Sequence, residues 1–233
     1  MELTETKLLA FDADDTLWDC QSFFDDISRR YCEFLAHYGN IDAIGEALFR
    51  VEMGNMEELG YGTKAFVISL VENALRISNY RLDAHETEEI VRLGRSLLRL
   101  PATPFPGVTE TLQKLKAQDG YTMVVLTKGD YLEQERKFHR SGLKEFFDDF
   151  IVVSEKTSEV YQRMCRQFGV QPSETIMIGN SFKSDIHPAL QAGCHAIYIP
   201  HHTTWQYEHA EPIEHERLIT IKKFDELWEL LGS

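Results

Sequence analysis

The sequence predicts an α/β protein, a doubly wound parallel sheet interrupted by an all-helical insert. Three observations predict it. Short apolar runs recur along the chain without polar alternation, as in strands buried on both faces. Helical patterns separate most of these runs, the order expected of a doubly wound domain. Residues 19–103 break the alternation with four helical patterns and no convincing strand.

The elements follow in order. Residues 7–12, Lys-Leu-Leu-Ala-Phe-Asp, read as a first strand with a carboxylate at its end. The insert is hinged near 17–21 and 100–107. Within it, Ser22 with Asp25 and Asp83 with Glu86 each resemble a capping box. Thr63 is placed to cap a helix with Val67, Leu70, Val71, Ala74 and Leu75 on one face. Ile90, Val91, Leu93, Leu97 and Leu98 line a fourth helix, and Pro101 to Gly107 form a stiff, turn-rich exit. Further strands are expected at 121–127, 150–153, 175–178 and 195–199, with a weaker one at 218–221. Residues 131–140 read as a charged surface helix. Val160, Tyr161, Met164, Cys165 and Phe168 recur at helical spacing before Gly169, a natural stop. A helix over 185–192 ends at Gly193, and Phe224, Leu227, Trp228 and Leu231 stripe a terminal helix. The expected domains are therefore a core of residues 1–18 and 104–233, and a helical domain of residues 19–103.

The composition narrows the function classes. The 233 residues are 43% apolar and 27% charged, ordinary for a globular protein with a sizeable core. The net charge of −14 disfavours nucleic acid, since Lys and Arg form no local patch. Any phosphate site must then bring its own cations. No apolar run approaches the length that spans a bilayer, and the N-terminal stretch lacks the basic flank and apolar region of a signal peptide. The expectation is a cytoplasmic monomer or homodimer with no membrane partner. Cys20, Cys32, Cys165 and Cys194 read as reduced, mostly buried thiols.

Ligands of an open parallel sheet bind beyond the carboxyl ends of its strands. The strand ends here carry Asp12-Ala13-Asp14-Asp15-Thr16, Thr127-Lys128-Gly129-Asp130, Ser154-Glu155-Lys156 and Gly179-Asn180-Ser181 with Asp185 one turn on. That set suits phosphoryl transfer. Asp12 is placed to attack phosphorus and form an aspartyl-phosphate. Asp14 is placed to protonate the leaving oxygen and then to activate water. Thr127 offers a hydroxyl to a phosphate oxygen, and Lys156 a fixed positive charge. A Mg²⁺ ion held by oxygen ligands would relieve the crowding of carboxylates.

The motifs resemble those of the haloacid dehalogenase-like superfamily. Phe-Asp12-Ala-Asp14-Asp15-Thr16-Leu is similar to its first motif, D-x-D-x-T after an apolar strand. Val-Val-Leu-Thr127 resembles its second, Lys156 its third, and Ile-Gly179-Asn180-Ser181-Phe-Lys-Ser-Asp185-Ile its fourth. The resemblance covers residue 7 to about 200. It implies a Rossmann-like core, a type-1 helical cap at residues 19–103, and Mg²⁺ held by Asp12, Asp14, Asn180 and Asp185. There are two departures: Asn180 stands where relatives commonly have Asp, and Thr157 follows Lys156 where many have Pro. Asn180 would bind the ion through a neutral carbonyl oxygen. A carboxylate at Asp14 favours phosphate over haloacid chemistry.

The expected reaction is hydrolysis of a small phosphate monoester, such as a sugar phosphate, nucleotide or other metabolite. Thr127, Lys128, Lys156 and Lys64 are the substrate-binding candidates, with Trp18, Met53 and Tyr61 as further readers of the leaving group. Asp15 and Asp19 read as structural or solvated, and adjacent His201 and His202 as loop residues. Two alternatives stand beside this reading: a phosphomutase on the same core, and a phosphate- or partner-binding protein on a degenerate one.

Overall fold

The apolar runs become strands wherever one face meets a helix and the other a second helix. In the computed structural model, which describes residues 5–118 and 120–232, these are β1 (Leu8–Phe11), β2 (Thr122–Lys128), β3 (Asp149–Val153), β4 (Thr175–Gly179), β5 (His195–Tyr198) and β6 (Leu218–Thr220). The first four residues of the N-terminal stretch discussed above lie outside the described residues. The strands form one parallel sheet in the order β3-β2-β1-β4-β5-β6. The order reverses between β1 and β4, and this is the point where a parallel sheet opens a crevice.

The register explains why the runs are apolar throughout. Leu9 pairs with Met123 and Ile176, and Phe11 with Val125 and Ile178. These side chains share a core with Val108, Leu112 and Leu115 of α5 (Val108–Ala117) and with Leu227 and Leu231 of α9 (Glu226–Leu231). Leu8, Ala10, Val124, Leu126 and Met177 face the other way, onto Tyr161, Met164 and Cys165 of α7 (Ser158–Phe168) and Ala189 and Ala192 of α8 (His187–Ala192). Full burial of each large apolar side chain contributes roughly 1.5–3 kcal/mol.

The chain divides into two compact units. One comprises residues 1–21, 102–128 and 134–233 and carries the sheet; the other comprises residues 22–101 and 129–133. The second unit holds α1 (Gln21–Phe34) from Ser22 onward, α2 (Ile41–Leu59), α3 (Thr63–Ile77) and α4 (Ala84–Arg95). Tyr31, Ile44, Leu48, Leu70, Ala74 and Ile90 are buried in it. α3 and α4 approach so closely that a Cβ at Gly94 would lie 2.6 Å from Val67 Cγ2, so only glycine fits there.

Three local details differ from the sequence reading. Asp83 and Glu86 form the expected capping box on α4, but Ser22 lies inside α1 rather than ahead of it. Thr63 begins α3 without capping it by its own side chain. Instead its N–H and hydroxyl donate to the Glu133 carboxylate at 2.8 and 2.6 Å. The helix α6 (Tyr131–Ser141) is a charged surface helix on one face only, with Arg136, His139 and Arg140 exposed; on the other face Glu133, Gln134, Lys137 and Phe138 are buried. The Glu133 carboxylate, the Gln134 amide nitrogen and the Lys137 ammonium each have partners, whereas Gln134 Oε1 has none among the described residues. Among the described residues no helix is long and apolar enough to cross a membrane. The four cysteines are buried and unbridged.

Candidate active site

The site begins where β1 stops. The Asp12 N–H still joins the sheet, donating to Ile178 at 2.9 Å, and the chain then turns sharply. Asp15 takes a positive φ of 65°, and the Leu17 N–H returns to the Ala13 carbonyl at 2.8 Å. This turn aims the carboxylate of Asp12 across the carboxyl ends of the strands. Asp15 holds the turn: its carboxylate accepts the N–H groups of Cys20 and Gln21 at 2.8 and 2.9 Å.

Side chains from the segments after β3 and β4 converge on Asp12. Lys156, three residues beyond β3, reaches Asp12 Oδ1 at 2.5 Å and Asp185 Oδ1 at 2.7 Å. Asp185 lies in a wide turn, Phe182–Ile186, between β4 and α8, and its Oδ2 accepts the Ser181 N–H at 2.9 Å. A Cβ at Gly179 would lie 2.3 Å from that oxygen, so glycine is required for Asp185 to fold back over the strand end. Thr16 Oγ1 lies 3.0 Å from Asp12 Oδ2 and 3.1 Å from Asn180 Oδ1. Thr127 ends up 1% exposed; in the β1–β2 register it stands two residues past Val125, the partner of Phe11.

Asp14 points elsewhere. Its carboxylate accepts the Trp18 indole N–H at 2.8 Å and the Gln134 amide at 2.8 Å, and it pairs with Lys137 at 2.8 and 2.5 Å. Trp18 is fully buried, so it serves the site by holding Asp14. Lys137 and Gln134 escaped the sequence reading. Buried positions of α6 recur at helical spacing (133, 134, 137, 138, 141), but three of them carry long polar side chains, which read as solvated. The available signal was that polar residues occupied the register of Phe138.

The expected lysines divide. Lys128 is anchored to Ser184 Oγ at 2.6 Å and to Glu208 at 2.7 Å. Lys64 pairs with Asp130 at 2.7 Å inside the helical unit, its side chain 60% exposed.

Electrostatics separate the two acids of the first motif. Burial pushes Asp12 up to about 7; Lys156 opposes this, while Asp185 and Asp14 reinforce it. Burial acts on Asp14 in the same sense, but the Lys137 charge and the bonds from Lys137, Gln134 and Trp18 outweigh it and hold Asp14 below the usual carboxylate range. Burial disfavours the charge on Lys156, yet Asp12 and Asp185 overcome it and raise its pKa. Burial also raises Asp15 to about 7.

The donor set fits a hard divalent cation. Asp12 Oδ2 and Asn180 Oδ1 converge on one Thr16 hydroxyl, which has a single proton to give, so one oxygen keeps its acceptor capacity. Carboxylate and amide oxygens are the ligands that Mg²⁺ takes. A separate group, Asp15, Asp19 and His201, also brings three possible ligand atoms within 4.8 Å of one another. There Asp15 already accepts two backbone N–H groups, and His201 Nδ1 lies 2.9 Å from the Thr203 carbonyl.

Comparison with known proteins agrees with this architecture. The profile of the haloacid dehalogenase-like hydrolases matches residues 6–193. A glyceraldehyde 3-phosphate phosphatase of Methanothermobacter thermautotrophicus is 27% identical over 204 residues, 83% of this chain and 85% of the relative. A haloacid dehalogenase-like family hydrolase from Xanthomonas campestris superposes with a TM-score of 0.82 at 33% identity, covering 93% of this chain and 86% of the other. A 2-haloacid dehalogenase from Pseudomonas syringae superposes at 0.63 with 22% identity, over 97% of this chain and 98% of the other, a likeness of fold alone.

Proposed function

The chain belongs to the haloacid dehalogenase-like hydrolase family, and from that premise we propose that it is a Mg²⁺-dependent phosphatase of small phosphorylated metabolites that works through an aspartyl-phosphate. One observation carries the reading: a buried carboxylate at the end of β1 is bonded to a buried lysine that also holds Asp185. A relative that acts on glyceraldehyde 3-phosphate supports a three-carbon or similar sugar phosphate as substrate.

Asp12 attacks phosphorus, and the phosphorus–oxygen bond to the organic group breaks. Lys156 keeps the Asp12 carboxylate turned toward the crevice and balances charge on the transferring phosphoryl group. The Thr127 hydroxyl, at the neighbouring strand end, donates to a phosphoryl oxygen. Asp14 gives the leaving oxygen its proton and later takes one from the water that attacks the aspartyl-phosphate. In its present pairing Asp14 is held as a carboxylate, so it must shed part of the Lys137 and Gln134 grip to become the acid. Asp12, Asn180, Asp185 and the Asp14 segment would hold Mg²⁺, which supplies Lewis-acid stabilisation of the crowded oxygens. Residues 22–101 would act as the cap that limits water.

Phosphate release from glyceraldehyde 3-phosphate and from an aryl phosphate, with Mg²⁺ and with chelator, tests this. Asp12→Asn should lower turnover at least about 10⁴-fold, the scale of losing a nucleophile, with the fold retained. Full turnover by that variant would end the proposal.

A further inference from the structure

The loop after β5 carries a half-buried charge that the reaction above does not use. Glu208 is 14% exposed in its side chain and faces three donors. Lys128 Nζ lies 2.7 Å from its Oε1, and the hydroxyls of Ser181 and Ser184 lie 2.6 and 2.5 Å from its Oε2. Lys128 spends a further proton on Ser184 at 2.6 Å. Burial pushes Glu208 up, but Lys128 and the two hydroxyls outweigh it, so it stays ionised. The one cation that β2 extends toward the crevice is thus matched by a full negative charge.

The same glutamate lines a cavity of about 450 Å³, together with Asn180, Ser181, Tyr198 and the second glutamate Glu211. Its described lining includes no lysine or arginine. The cavity adjoins the nucleophile through Asn180, which lines it and shares the Thr16 hydroxyl with Asp12. An organic group entering from the phosphorylated carbon would meet hydroxyls, aromatic edges and carboxylates. Hydroxyl or amine groups can bond to such a wall. A second anion would find Lys128 already neutralised by Glu208 and would be repelled by Glu211.

We propose that Glu208 determines specificity: by cancelling Lys128 it leaves a second anion no cation to bind and Glu211 to repel it, so the site selects phosphate monoesters whose organic part is neutral or cationic over those with a second acidic group. The proposal rests on the phosphatase reading and adds the substrate class. It works by rejection, since discrimination can come from repelling the wrong partner as well as attracting the right one. A purely structural Glu208, pinning the loop, would affect all substrates alike.

The test uses two substrates of one skeleton, glyceraldehyde 3-phosphate and 3-phosphoglycerate, with the full chain and Mg²⁺. The wild type should favour the aldehyde in kcat/KM by at least about tenfold, the scale of one like-charge contact at intermediate dielectric. Glu208→Gln keeps the shape and most hydrogen bonds but removes the charge, and it should narrow that ratio by roughly tenfold. Glu208→Asp should keep the wild-type ratio. Glu211→Gln, on the exposed rim, should narrow it by a few-fold, and it decides the matter if Glu208→Gln fails to fold. Raising salt should also narrow the wild-type ratio. Equal use of both substrates by the wild type, or an unchanged ratio in the glutamine variants, would overturn the proposal. Aryl phosphate turnover separates the two ideas: if it persists while the ratio stays flat, only the specificity claim falls. If the wild type releases phosphate from nothing, both fall.

Discussion

The two units give their buried carboxylates different partners. In the sheet-bearing unit carboxylates meet buried lysines across the strand ends, Asp12 and Asp185 with Lys156, and Asp14 with Lys137. In the helical unit the buried Glu133 carboxylate meets the neutral N–H and hydroxyl of Thr63, and the Asn73 amide donates to the Tyr31 hydroxyl, which donates to the Leu70 carbonyl, each of these two at 2.9 Å. Buried ions cost several kcal/mol each to desolvate, and hydrophobic replacements are often no less stable. A fold keeps such a group where chemistry needs it. A neutral hydrogen bond costs little and serves to fix packing. The contrast therefore points to where the reaction takes place without reference to any motif.

The sharpest way to break that contrast is to remove one charge. Lys156→Met leaves Asp12 and Asp185 buried and facing each other without their cation. Unpairing a buried ion of this kind costs about 3–5 kcal/mol, so thermal unfolding should drop by roughly 10 °C in a chain of this size. Turnover should fall by three or more orders of magnitude, since the nucleophile loses the group that positions it. Retention of both stability and activity in Lys156→Met would show that the charged cluster is incidental.

The next largest effect is in pH, where Asp14 and Glu52, one in each unit, should respond with opposite sign. Asp14 sits below the ordinary 3.8 in the folded chain, burial being outweighed by Lys137. Its contribution is present above 3.8 and is lost as pH falls through the folded value. Glu52 in α2 is raised by burial from 4.5 to about 7. Its contribution is present below 4.5 and is lost as pH rises through 7. Glu52→Gln should therefore stabilise the chain above pH 7 by on the order of 1–2 kcal/mol, allowing for its partial exposure, and change nothing at pH 4. Asp14→Asn should flatten the acid limb instead. Thermal melts from pH 3 to 9 check both, and a Glu52→Gln curve parallel to wild type would remove the helical half of the comparison.

The sequence disclosed the sheet and the first motif because both depend on local pattern. Apolar runs without alternation require cover on two faces, and a carboxylate at the end of such a run must find a partner. Lys156, Asn180 and Asp185 were legible for the same reason, each lying within a few residues of a strand end. Lys137 and Gln134 were hidden because a polar residue on a helix gives the same one-dimensional signal whether it meets water or Asp14. Glu208 was less visible still: it lies in an aperiodic loop, and only the folded chain brings it to Lys128, 80 residues earlier in sequence. The capping of α3 by Glu133 is a third case, since the donor and acceptor are 70 residues apart.

The smallest effect tests the neutral side of the contrast. Tyr31→Phe removes one hydroxyl from the helical core and keeps the ring. The Asn73 amide then retains only the Ile44 carbonyl, at 3.4 Å, a weak contact. The Leu70 carbonyl loses a second bond but keeps its place in α3. The net cost should be about 1 kcal/mol, a shift of roughly 2–4 °C in unfolding temperature, with kcat and KM within twofold of wild type. Tyr31→Phe replaces a neutral bond by apolar surface, whereas Lys156→Met strands a charge. If the tyrosine variant instead lost activity to the degree expected of the lysine variant, the helical unit would hold a chemical role that its neutral hydrogen bonds do not suggest.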